Sequence, residues 1–158
     1  MEVKIVAFIV TKNGNVRHFH EPNNGRIESM PPRSFVNFGT RYNFEQFYMT
    51  AHRSWKGTAK TIMITKIYDD IGISMAEAQE FLLGLTYLHQ IVSCPISLPT
   101  TVNQADAIAQ RGQNLYRTLK MFCPNKIPRN ADGGIDNKKL TEILSINTEE
   151  LPKSRYNA

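Results

Sequence analysis

The hydrophobic pattern changes period near residue 70, which divides the chain into a strand-rich half and a helical half. Residues 3–11 are rich in β-branched side chains, Asn13-Gly14 is the dipeptide favoured in a tight type I′ turn, and residues 16–20 return. With a two-residue loop this hairpin pairs Phe8 with Phe19, Ile9 with His18 and Ala7 with His20. Residues 21–32 hold Pro22, Asn23-Asn24-Gly25 and Pro31-Pro32, too many breakers for a regular element. Further strands are expected at residues 34–38, 44–53 and 60–68, the last two joined near Lys56-Gly57.

Beyond residue 70 the apolar positions recur at helical steps. Ser74 and Glu77 have the spacing of a capping box, in which each side chain satisfies an amide at the helix start. Met75, Ala78, Leu82, Leu85, His89 and Val92 then form one stripe, closed by Pro95. Thr101 and Gln104 repeat the box, and Val102, Ala105, Ile108, Ala109, Leu115, Leu119 and Phe122 form a second stripe before Pro124. Asp136 caps a last short helix near residues 140–144. Strands followed by helices predict an α+β fold: an N-terminal antiparallel sheet of about five strands, two long amphipathic helices and a short C-terminal one. The length of 158 residues fits a single domain, placed over residues 1–150, with residues 151–158 as a flexible tail.

Charge adds an asymmetry to this outline. The net charge is +5, but residues 1–68 carry a balance of +6, residues 69–110 carry five acids and no Lys or Arg, and residues 111–129 carry five cations and no acid. Two basic zones separated by an acidic one favour an anionic partner, and also head-to-tail self-association. Cys94 and Cys123 are the only cysteines, a usage that fits a reducing compartment. An acid at position 2 and a turn after a short apolar run oppose a secretion signal, and no apolar stretch is long enough to span a bilayer. An intracellular protein with at most peripheral membrane contact is expected.

The candidate chemistry lies in residues 33–70. Phe35, Phe38, Tyr42, Phe44, Phe47, Tyr48, Trp55 and Tyr68 are interleaved there with Arg33, Arg41, Arg53, Lys56, Lys60 and Lys66. Aromatic faces beside mobile cations suit stacked bases and phosphates, or the headgroup boundary of an anionic membrane. The plain structural alternative is a set of half-buried strands with solvated outer faces. The candidate contacts to nucleic acid or anionic lipid are Arg41, Arg53, Lys56, Lys60 and Lys66, joined by Arg117, Lys120, Lys126 and Arg129 of the second basic zone. His18 and His20 share a strand face, but a metal site needs further ligands and no spacing supplies them. Asp132-Gly133-Gly134-Ile135-Asp136 fails as a calcium loop, because Pro128 and Lys139 fall where carboxylates are required. Asp69-Asp70 suits the positive end of the helix begun at Ser74. With no phosphate loop, nucleophile elbow or metal cluster, the expectation is a non-enzyme with no cofactor and no small-molecule substrate.

Lys56-Gly57-Thr58, then Met63-Ile64-Thr65, then Ile67-Tyr68-Asp69-Asp70 and an amphipathic helix resemble a stretch of matrix proteins from non-segmented negative-strand RNA viruses of the rhabdovirus type. The resemblance implies a structural protein, in virion or host cytoplasm, that self-associates and contacts anionic membrane or ribonucleoprotein, RNA included. The chain departs from that family in lacking a Lys-rich N-terminal arm, and Met30-Pro31-Pro32-Arg33 lacks the tyrosine of its release motif. The alternative function is a small single-stranded nucleic-acid-binding protein that uses the basic-aromatic sheet.

Overall fold

In the first half of the chain, alternation of apolar and polar positions yields a four-stranded antiparallel sheet of order β1-β6-β5-β4. Its strands are β1 (Val6–Thr11), β4 (Ser34–Val36), β5 (Glu45–Thr50) and β6 (Ile62–Asp69). The computed structural model describes residues 3–22, 25–37, 45–90 and 92–145. They form an α+β fold with the sheet first and helices after it, as the periodicity predicts. The chain divides into two units, residues 1–102 and 103–158. Arg41 and the expected tail at 151–158 lie outside the described residues.

The sheet buries one face in a core of Phe47, Met49, Ile62, Ile64, Leu82, Leu83 and Leu98, with Phe8, Val10 and Phe35 packed against it. Register explains this set, because Phe47 faces Ile64, Met49 faces Ile62, and Val10 faces Ile64 from the other side. Helix α1 (Met75–Thr86) lays Leu82 and Leu83 onto that core, and its Ala78 is buried as well. Its predicted capping box is present: the Glu77 amide donates to Ser74 Oγ at 3.3 Å, and the Ser74 amide donates to Glu77 Oε2 at 2.9 Å. The helix ends at Thr86, well before Pro95. There the Thr86 hydroxyl donates to the Leu83 carbonyl at 2.7 Å, and the Thr86 carbonyl accepts from the Ile96 amide at 3.1 Å.

The N-terminal hairpin does not form. Strand β1 pairs with β6, and the short β2 (Phe19–His20) pairs instead with β3 (Glu28–Ser29), inside the stretch expected to be irregular. The physical reason is burial. Phe8 and Val10 need an apolar partner surface, and β6 offers Ile62 and Ile64, whereas Val16 and Phe19 are themselves exposed. Around Asn13-Gly14 the chain makes a wider loop, in which the Arg17 guanidinium donates to the carbonyls of Gly14 and Val16 at 2.7 and 2.9 Å.

The second unit contains most of α2 (Thr100–Phe122), a 3-10 turn at Pro124–Lys126 and α3 (Asn137–Leu144). Helix α2 already includes Thr100, so Thr101 lies inside the helix rather than capping it. Its predicted core stripe is largely open: Ile108 is 42% exposed, Leu115 39% and Phe122 73%. The glycine-rich segment is a turn. Asp132 Oδ1 accepts from the Gly134 amide at 3.1 Å, and Asp136 Oδ1 caps α3 by accepting from the Lys139 amide at 3.1 Å.

Candidate nucleic-acid interface

The β5–β6 connection, residues 51–61, gathers three exposed cations around one aromatic side chain. Its two roots are fixed, since Ala51, Ala59 and Thr61 are buried. Between them the Ser54 hydroxyl donates to the Lys56 carbonyl at 2.9 Å, and Gly57 takes a φ of 75°, a left-handed geometry that a side chain opposes. This turn holds Trp55 at its apex, 102% exposed, with Arg53, Lys56 and Lys60 exposed on either side. None of these three cations forms a salt bridge with another described residue.

The sheet face away from the core supports this loop. Tyr48 and Met63 are cross-strand neighbours, as are Gln46 and Thr65, whose side chains meet in a 2.9 Å hydrogen bond from the amide to Thr65 Oγ1. His18 lies over that face with its ring centroid 4.5 Å from that of Tyr48 and Nδ1 3.4 Å from Thr61 Oγ1. Burial disfavours its imidazolium and lowers its pKa. His20 carries a buried Nδ1 without a hydrogen-bond partner. Among the described residues no group of three or more His, Cys, Asp or Glu side chains could hold a metal ion.

Lys66 stands apart from the other candidate cations. Its side chain is 9% exposed, and its ammonium meets Glu45 Oε2 at 2.8 Å and Asp69 Oδ2 at 2.9 Å, while donating to the Ile73 carbonyl at 3.0 Å. Those partners raise its pKa, so the charge is held inside the unit. Asp69 in turn accepts from the amides of Ile71 and Gly72 at 3.0 and 2.8 Å, and its pKa falls to about 2. Asp70 Oδ2 accepts from the Ile5 amide at 3.2 Å. Asp69 thus closes the turn that leads into α1, while Asp70 ties the end of β6 to the chain before β1. In the second unit Arg117, Lys120, Lys126 and Arg129 are all exposed, and the Arg129 guanidinium donates to the Gly133 carbonyl at 2.9 Å.

Residues 1–117 match the Piwi domain family. The chain belongs to that family. It is 32% identical to the Argonaute protein wago-1 of Caenorhabditis elegans over 99% of its own length and 17% of the relative's. The fold is similar to the C-terminal lobe of a budding yeast Argonaute, with a TM-score of 0.60 at 18% identity, over 71% of this chain and 24% of that one. It is also similar to Drosophila Piwi, with a TM-score of 0.58 at 22% identity, over 65% of this chain and 14% of that one. The Piwi-family chain therefore spans about a sixth of the length of its curated relative.

Family membership corrects three expectations. The rhabdovirus-type matrix resemblance is overturned, because Lys56-Gly57-Thr58 and Ile67-Tyr68-Asp69-Asp70 lie within the Piwi match. With it falls the reading as a viral structural protein that assembles on a membrane in the virion. The non-enzyme expectation loses its support as well, since the Piwi domain is an RNase H-like fold that is typically a nuclease, although some Argonautes are catalytically inactive. No helix among the described residues is long and apolar enough to cross a membrane. Sequence reasoning passed over the enclosure of Lys66, although strand parity signals it: Lys66 shares the core-facing side of β6 with Ile62 and Ile64.

Proposed function

We propose that this Piwi-family chain binds single-stranded RNA, with the β5–β6 loop contacting the phosphate backbone through Arg53, Lys56 and Lys60. The observation that carries the reading is the loop itself: three exposed cations, without salt bridges to described residues, on a turn rooted in a buried sheet. Argonaute relatives bind guide and target RNA, which supports RNA over other polyanions. Phosphate contact by such side chains releases counterions, and it steers the strand without reading its sequence. Arg117, Lys120, Lys126 and Arg129 are proposed as a second backbone contact, and Lys66 as a structural cation outside the interface.

The test is a salt series of binding isotherms with a labelled single-stranded RNA. Replacing Arg53, Lys56 and Lys60 together by Ala should weaken binding and reduce the slope of log K against log salt by about 2, at roughly 0.7 for each phosphate no longer neutralised. The thermal midpoint should barely move, because these side chains do not hold the fold together. An unchanged affinity and slope would remove the loop from the interface.

A further inference from the structure

We infer that Trp55 is a stacking platform for a nucleobase, so that the β5–β6 loop grips RNA by base as well as by phosphate. The inference rests on the RNA-binding reading above and goes beyond it, since phosphate contact alone gives the indole no role. Trp55 is the only tryptophan of the chain, and it is held fully exposed at the apex of a turn. An ordinary surface loop does not require an indole there. The geometry is specified: Ser54 Oγ closes the turn onto the Lys56 carbonyl, Gly57 supplies the left-handed residue, and Ala51 and Ala59 anchor the roots. The apex is therefore presented by a fixed scaffold rather than left on a loose strand.

Charge decides the occupant. Arg53 and Lys56 flank the indole in sequence, and Lys60 follows at the loop's return, with no acid anywhere in residues 46–68. An apolar protein surface would gain nothing from three cations at its rim. A nucleotide carries both complements, a flat π face and a phosphate one sugar away, and stacking tolerates any base because each has such a face. Cationic neighbours also strengthen the arrangement by drawing the strand to the ring before the base settles.

Because Trp55 is the sole tryptophan, its fluorescence reports on this position alone. The experiment titrates the full chain with a single-stranded oligouridylate and with an abasic ribose-phosphate oligomer of equal length, at low salt. Oligouridylate should quench the emission and bind more tightly than the abasic strand. Trp55→Ala should cost about 5- to 150-fold in affinity for oligouridylate, a loss equivalent to one stacked base. The same variant should leave abasic binding unchanged, while Trp55→Phe should retain most of the preference. Equal binding of both strands with unquenched emission overturns the stacking and leaves the phosphate reading standing. Failure of both strands to bind overturns the RNA reading and the stacking together. A blue shift on anionic vesicles without quenching by oligouridylate also overturns it, by assigning the indole to a lipid surface.

Discussion

The Lys66 ammonium and the Asp69 carboxylate stand 2.9 Å apart at the end of β6, the lysine 9% exposed and the aspartate also turned inward. Lys66 reaches Glu45 at the start of β5 and the Ile73 carbonyl just before α1, so one side chain ties two strands to the approach of a helix. Asp69 completes the connection through the amides of Ile71 and Gly72, the latter with a φ of 76° that glycine accommodates. A position that resembles a surface cation in sequence is a fastening of the sheet to α1.

This network should make the fold sensitive to acid. The hydrogen bond from Lys66, with those from Gly72 and Ile71, holds the Asp69 pKa at about 2, against an ordinary value of 3.8. The unfolded chain therefore binds more protons than the folded one in that interval, and stability falls as pH drops through it. Above the interval the contribution is complete. Asp69→Asn should lower the thermal midpoint at neutral pH and flatten its fall between about pH 5 and pH 2. Glu77, lowered by its hydrogen bonds to Ser74, contributes a smaller slope of the same sign that the variant retains. Identical pH profiles for the two chains would show that the ion pair does not couple to folding.

The two helices should respond differently to truncation of their apolar stripes. Leu82 is enclosed in the sheet core, so Leu82→Ala should cost about 2–5 kcal/mol in urea denaturation. Leu115 is 39% exposed on α2, and Leu115→Ala should cost less than about 1 kcal/mol. A large loss at Leu115 would mean that this face is covered in solution.

That contrast marks what the sequence makes legible. Local signals carry well: the Ser74–Glu77 box, the Asp136 cap and the alternation through Phe47, Met49, Ile62 and Ile64 all correspond to observed structure. Signals that depend on a distant partner do not. Asn13-Gly14 favours a hairpin, but the partner of β1 is chosen by the apolar face of β6, more than fifty residues away. Helical period identifies α2, yet says nothing of what its stripe packs against. Arg53 and Lys60 are expected at strand ends but lie in the connection with Lys56, because β5 stops at Thr50 and β6 starts at Ile62. The place of Lys66 depends on Glu45 and Asp69 brought together in three dimensions.

His18 should give the fold a second, milder pH dependence near neutrality. Its ring rests on Tyr48 and its Nδ1 lies 3.4 Å from Thr61 Oγ1, at the root of the β5–β6 loop. Burial lowers its pKa from 6.5, so between that value and the lower folded one the unfolded chain takes up the extra proton. Stability is then fully present above about pH 6.5 and declines as pH falls toward the folded value. His18→Phe keeps a ring against Tyr48 but cannot be protonated. Urea midpoints measured from about pH 8 to pH 5 should fall for the parent chain and stay nearly level for the variant. Parallel falls in both would mean that the proton is taken up elsewhere, and that the ring over the loop's root does not sense pH.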